Sequence, residues 1–336
     1  MTGPAGPRHR LPGRVVLGGS AAVTLAALAT FIGLLSTGAI GTDGGLDLSS
    51  GGLVVAWTSP LVSLLMDLAT IGCVGALLSV LFLLRTDGGP LGTQGQRAVR
   101  DAGKAAVVWS LAAVLGALTA GASILGVSFR LLFGRLGSAL ALPEVQALLA
   151  SAVLAALIAG TAGRIRTSPR TMTAGVLAIA AILPPVLTAF PRNEPNVVPA
   201  AIGLIVHVIA AVVWIGGLAG VVRYGRGSRV GLPLVLRRFD RVATIAAIAV
   251  LLSGLLTGLL RQTVVNGGLF TGGYGGLLLA KAVAFVLLIV GGLWHRRQAI
   301  TTLADVGRRF WRLVAVELFI LAIAIGLSVA MAHTPL

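Results

Sequence analysis

Cysteine is almost missing from this chain. Cys73 is the single one among 336 residues, so no disulfide can form within it and no Cys-x-x-Cys metal or redox site exists. Charge is also scarce, at 11% of residues, against about 25% in ordinary soluble domains. Acidic residues number 10 and basic ones 26, of which only Lys104 and Lys281 are lysine. Histidine and methionine each occur four times and tyrosine twice. The motifs of common active sites are missing too. There is no His-Glu-x-x-His, no Walker A sequence and no Gly-x-Ser-x-Gly, and the glycine-rich patches do not sit between a strand and a helix as phosphate cradles do. These absences argue against an enzyme.

What the chain has is hydrocarbon. It is 57% hydrophobic with a mean hydropathy of +0.99. Apolar runs of roughly 20 residues, the length that crosses a bilayer, recur throughout. The expectation is an all-α, polytopic transmembrane helical bundle of about nine helices, near 15–40, 53–84, 105–126, 142–163, 171–190, 199–222, 242–262, 276–294 and 313–333. Thr58, Ser59 and Pro60 suggest a bend early in the second. The first imitates a signal peptide but is too long for an h-region, so it reads as a membrane helix.

A net charge of +16 raises the question of nucleic acid. The basic residues instead cluster in short segments between apolar runs, which is the pattern of topology signals, and the partner they imply is the lipid bilayer. With the N-terminus in the cytoplasm, 21 Lys and Arg lie on inner segments and 5 on outer ones or outer halves. The C-terminus is then outside. On the outer side, residues 41–52 and 266–276 read as glycine-rich loops and 191–200 as a Pro-pinned turn. Residues 127–140 carry Phe129, Leu132, Phe133 and Leu136 at helical spacing, as a segment lying flat on the interface would. The abundance of Arg, Ala, Gly and Leu suggests a GC-rich bacterial genome.

Few polar side chains fall inside the spans, and function is sought among them. His207 heads the run HVIAAVVWIGGL, with Trp214 two turns further on the same face and Gly216 and Gly217 behind it. An imidazole there belongs against other helices rather than lipid. His333 closes the last span beside Met331, and imidazole with thioether suits a soft ion such as Cu(I). His9 and His295 fall in basic inner segments. Asp67 lies mid-span, as a proton carrier, a counter-charge to a passing cation, or a partner for Lys281. Met66 and Cys73 share another stripe of that helix, where ordinary core packing is the simpler reading. Glu317 starts the last span within reach of Arg309 or Arg312. Gly216 with Gly220, and Gly254 with Gly258, make Gly-x-x-x-Gly steps that let helices approach closely.

In order along the chain, HVIAAVVWIGGL, RRFDR (237–241), LLSGLLTG (251–258), GGYGGLLLAKAV (272–283) and VELFILAIAIGLSVAMAHTPL (316–336) resemble the CopD family of copper-resistance membrane proteins. The resemblance covers residues 200–336, helices six to nine. Residues 1–199, helices one to five of the same continuous bundle, match only in hydropathy and helix count. It implies copper handling at the bacterial inner membrane, with copper ions moved from the periplasmic side inward. It implies a periplasmic copper carrier of the CopC type as partner, and a cytochrome-oxidase assembly domain of the CtaG type that is fused to some relatives. The chain is thus expected to be a free-standing relative or the N-terminal half of such a fusion. On this resemblance His207 is the outer copper ligand, braced by Trp214, Tyr274 and Lys281 shape the outer mouth, and Glu317 anchors the last helix. His333 and Met331 would stand nearby. With methionine limited to Met1, Met66, Met172 and Met331, the chain departs from a Met-lined conduit. A metal-binding scaffold for oxidase assembly and a haem-binding membrane protein stay open as alternatives. The charge asymmetry makes its own prediction: alkaline phosphatase, which works only outside the cytoplasm, should be active when fused after Leu336 and inactive when fused after Arg166.

Overall fold

The computed structural model describes residues 13–37, 53–84, 90–189, 197–225, 232–262, 272–301 and 308–333. Among them there is no strand. Eleven α-helices follow in order: α1 (Gly13–Ser36), α2 (Leu53–Leu78), α3 (Thr93–Ile124), α4 (Phe129–Leu132), α5 (Leu136–Leu140), α6 (Pro143–Ala162), α7 (Ser168–Leu187), α8 (Val197–Tyr224), α9 (Leu232–Gln262), α10 (Gly272–Thr301) and α11 (Arg308–His333). Eight are long and apolar enough to cross a membrane, and α1 adds a shorter apolar stretch, Ser20–Ser36. Large aliphatic residues on the outside, such as Ile32, Ile245 and Leu252, are more than 60% exposed. A soluble protein would bury such a surface; a bilayer solvates it. The chain is a polytopic helical membrane protein.

Two helices begin well before their apolar runs. α3 starts at Thr93 and α9 at Leu232, because the charged stretches RAVRDAGK and LRRFDR are good helix formers that carry the helix on past its apolar part. The interfacial segment at 127–140 is broken. α4 and α5 are joined by a 3₁₀ turn, Phe133–Arg135. Phe129 and Leu132 turn inward against Val55 and Ala122, while Phe133 and Leu136 are exposed. The loops at 41–52 and 263–271 and the turn at 191–196 lie outside the described residues, as does His9.

α2 is the most interior of the spans and α9 the least. α2 packs extensively on α3 and α8, and also touches α7 and α11. α3 packs on α6 and α6 on α7, α8 on α9, α1 on α11, and α10 mainly on α11. Trp109 of α3 is the largest fully buried side chain, and Met66 and Cys73 of α2 belong to the same main apolar cluster.

Small residues set the closest approaches. A Cβ on Gly216 would stand 2.8 Å from Gly75 Cα and 2.9 Å from the Ile71 carbonyl oxygen. One turn on, a Cβ on Gly220 would collide with the Ser79 hydroxyl, which is turned back onto the Gly75 carbonyl at 2.7 Å. α2 and α8 therefore run parallel in backbone contact, as Gly-x-x-x-Gly steps permit. Just past this contact α2 widens into a π-helical turn, Ser79–Leu83. α1 and α11 repeat the arrangement. A Cβ on Gly33 would lie 2.6 Å from Ala330 Cβ, and Thr30 donates a hydrogen bond across to the Gly326 carbonyl at 3.3 Å. Gly216→Val should consequently destabilise the bundle by about 1–3 kcal/mol through overpacking. Thermal unfolding in detergent would register this as a clearly lower midpoint, while Gly160→Ala, with open space around its Cβ, should leave the midpoint unchanged or slightly raised.

Candidate functional site

His207 sits nine residues before Gly216, two and a half turns, and so on the opposite side of α8 from the α2 contact. Its ring lies on α9, where Nδ1 is 3.2 Å from the Val250 carbonyl oxygen and 3.2 Å from Ser253 Oγ. A carbonyl can only accept, so in the neutral ring the proton is on Nδ1 and the lone pair is on Nε2. Ser253 donates its own proton to the Ala249 carbonyl, which leaves its oxygen free to receive the ring N–H. Gly254 makes room for the ring: a Cβ there would touch Cε1 at 3.5 Å. The Ser253–Gly254 pair of α9 is thus a shelf that holds the imidazole by one nitrogen. Among the described residues Nε2 has no hydrogen-bonding partner.

Trp214, on the same face of α8, meets Phe285 of α10 edge-on, with centroids 6.1 Å apart and planes at 86°. Lys281 is one turn before Phe285 on α10. The register of the glycine contact sets the depth of Asp67 of α2 against that of His207. Eight residues back from Gly75 is Asp67, and eight back from Gly216 is Val208, so the carboxylate and the imidazole stand at one depth on parallel helices. Asp67 and Lys281 are both half-buried. Neither makes a hydrogen bond or an ion pair within 4.0 Å among the described residues.

His333 ends α11 and faces α2. Nδ1 is 2.9 Å from the Val329 carbonyl oxygen of its own helix, and Nε2 is 3.2 Å from Ser59 Oγ. The Ser59 hydroxyl therefore donates to Nε2. α11 stays helical through His333, so Met331 points elsewhere, onto the cluster of Leu34, Leu277 and Leu327. Ser59 is eight residues before Asp67, about 12 Å along α2 at the helical rise. Glu317 lies sixteen residues from His333, about 24 Å along α11, and its carboxylate approaches α10 at Gly291, 4.0 Å from where a Cβ would be. Polar groups thus occur at three depths on adjoining helices: His333 with Ser59, then His207, Asp67 and Lys281, then Glu317. Gly217 of α8 holds Phe239 of α9, whose ring would be 2.9 Å from a Cβ. Tyr274 is in the first turn of α10, and its side chain lies outside the described residues, as do those of His295, Arg309 and Arg312. No group of three or more His, Cys, Asp or Glu able to hold a metal is present among the described residues.

One polar node was not anticipated. Asp101 of α3 accepts hydrogen bonds from Arg223 Nε at 2.8 Å and Tyr224 Oη at 2.9 Å, at the far end of α8. Its signal in the sequence was faint. Asp101 is an acid set among Arg97, Arg100 and Lys104, opposite the Arg-Tyr that ends α8.

The family model of copper resistance protein D, CopD, matches residues 233–331. That stretch runs from the start of α9 nearly to the end of α11 and is consistent with a CopD-family membrane protein. It includes the Ser253–Gly254 shelf, Lys281, Phe285, Glu317 and Met331, and stops short of His207 on one side and His333 on the other. The likeness points to a membrane protein connected with copper resistance or transport. No curated protein and no solved structure matches the chain. The geometry at His207 can be checked directly. Nitrogen-15 NMR of histidine-labelled protein at neutral pH should report the Nδ1–H tautomer for this ring, and Ser253→Ala should preserve it, because the Val250 carbonyl still receives the proton.

Proposed function

We infer that the protein carries copper ions across the bacterial cytoplasmic membrane, from the periplasmic face inward. The observation that carries this reading is the His207 imidazole, fixed by Nδ1 and with no hydrogen-bonding partner on Nε2 among the described residues, in a chain whose last three helices resemble CopD. Imidazole nitrogen is a good donor for Cu(I). Passage needs sites that are few, weak and sequential rather than a closed cage, and dispersed donors at three depths suit passage better than storage. In this reading His333 receives the ion at the outer mouth, while Met331, on the far face of α11, packs on Leu34, Leu277 and Leu327. His207 holds it at mid-depth, with Asp67 as the negative charge that offsets it. The Trp214–Phe285 contact lies two turns further along α8. No step of bond-making chemistry is required, and the protein acts as a carrier rather than an enzyme. A periplasmic carrier of the CopC type would load the outer mouth, and a cytochrome-oxidase assembly protein of the CtaG type would be a recipient of the delivered metal.

Proteoliposomes loaded with a Cu(I) chelator provide the test. Wild-type protein should take up Cu(I) at a rate at least tenfold above protein-free vesicles, and His207→Ala should remove that excess while leaving the protein folded and inserted. Copper binding without uptake would assign the protein to the assembly-scaffold class instead. Equal uptake by wild type and His207→Ala would overturn the role of the ring. A Soret band in purified protein would point to haem.

A further inference from the structure

α2 and α7 leave an apolar groove of about 400 Å³ between them. Its walls run from Val74 to Leu81 on α2 and from Met172 to Leu183 on α7, and no lining side chain is polar or aromatic. The floor is closed, with Leu77 1% and Ala178 0% exposed, while Met172 and Val176 stand at the rim, 62% and 61% exposed. The groove therefore opens sideways, toward lipid. Gly175 adds depth, since a Cβ there would only come to 3.5 Å from Leu81 Cδ1. Along α7 the lining covers about 16 Å at the helical rise. That is close to the hydrocarbon depth of one leaflet, about 15 Å. The volume spread over this length gives a cross-section of about 25 Å². A helix, about 10 Å across, does not enter such a slot; a single hydrocarbon chain does.

One end of the groove is basic. Leu81 lies level with Gly175, so the end at Leu81 and Met172 is the one nearest the start of α7. There the chain reads GRIRTSPR, with Arg164, Arg166 and Arg170 exposed and no acidic residue from 163 to 183. Arg170 Nη1 donates to the Arg164 carbonyl at 3.1 Å, which holds the guanidinium at this corner. On the α2 side, α7 and α9 both reach the π-helical turn Ser79–Leu83. Arg238 of α9 donates to the Phe82 carbonyl of that turn at 3.5 Å, one residue from the groove-lining Leu81. Arginines from α9 and from the start of α7 thus flank one end of the groove, the end that the charge asymmetry assigns to the cytoplasm.

We propose that the groove is a lipid site, in which one acyl chain of an anionic phospholipid of the inner leaflet lies between α2 and α7 while its phosphate meets Arg166, Arg170 and Arg238. The inference does not depend on the copper reading. A wall without polar side chains accepts only hydrocarbon without a desolvation cost. The guanidinium fork matches phosphate oxygens, and basic corners between membrane helices on the cytoplasmic side are where anionic head groups settle. A zwitterionic lipid offers the same chains, but the arginines repel its ammonium group. The bound chain also fills the space beside the π-helical turn of α2, so the lipid supports the most interior helix of the bundle.

The test is lipid binding to the full-length protein in detergent, read by native mass spectrometry and by thermal unfolding. The probes are phosphatidylglycerol and phosphatidylcholine with identical chains, and inorganic phosphate. Wild type should bind one phosphatidylglycerol about tenfold more tightly than phosphatidylcholine and unfold at a higher midpoint in its presence, while inorganic phosphate should leave the midpoint unchanged. Arg166→Gln, Arg170→Gln and Arg238→Gln together should abolish the preference between the two lipids. Gly175→Leu, which fills the groove and leaves the arginines in place, should weaken phosphatidylglycerol binding about tenfold. If that variant folds poorly, Ala180→Leu fills the same groove and makes the same measurement. Equal binding of both lipids by wild type would overturn the proposal. So would undiminished phosphatidylglycerol binding in the filled-groove variants, or stabilisation by inorganic phosphate alone. A dimer that dissociates in Gly175→Leu would overturn it in favour of a second copy of the chain. No arm of the experiment involves copper, so this inference and the carrier reading fail separately.

Discussion

The structure depends on a place where two backbones touch. Gly75 of α2 and Gly216 of α8 leave no room for a side chain between them, and Gly220 receives Ser79 one turn further. Lipid tails are as apolar as leucine, so helices in a bilayer gain little from burying aliphatic groups against each other; close packing and polar contacts must hold them instead. The contact also fixes register. With α2 and α8 parallel and locked at Gly75–Gly216, Asp67 and His207 have to lie at the same depth. A slip of one turn would separate them by about 5 Å. The polar interior is thus aligned by residues that have no chemistry of their own.

The opposite face of α8 shows a different strategy. Where α2 comes close, α10 stands away, and aromatic rings bridge the distance, Trp214 against Phe285. His207 lies on this face, while Asp67 of α2 and Lys281 of α10 add a carboxylate and an ammonium to the spans. Such groups are costly inside a membrane unless they face one another or an aqueous path. α9 contributes a small residue and a hydroxyl, Gly254 and Ser253, which together seat the His207 ring and determine which nitrogen it presents. The proposed carrier function draws on this division of labour. One side of α8 provides rigidity, and the other provides a place for a cation to stop.

Much of the architecture was legible in the residues. Long apolar runs with charged breaks can only be membrane spans, and the bundle follows from the length of the bilayer. The boundaries of α3 and α9 were less so. Hydropathy marks where a helix meets lipid, whereas RAVRDAGK and LRRFDR continue as helix on propensity alone. The break at Phe133–Arg135 was likewise invisible, since helical spacing of apolar residues does not reveal that Phe129 and Leu132 would pack inward while Phe133 stayed exposed.

For the interior the divide is sharper. Scarcity singled out His207, Asp67, Lys281, His333 and Glu317 as polar residues in apolar company, because the cost of burying such groups is a local property of each. Their partners were a different matter. That Ser253 and Val250 hold one side of His207, that Ser59 meets His333, that Met331 turns away from it, and that Asp101 gathers Arg223 and Tyr224 all depend on helices far apart in the chain. The residues themselves established a membrane bundle and the identity of its few polar interior groups, since hydrophobicity and chain length act locally. Only the tertiary structure decided their depth and neighbours, because those follow from the backbone contacts at which one helix is brought into register with another.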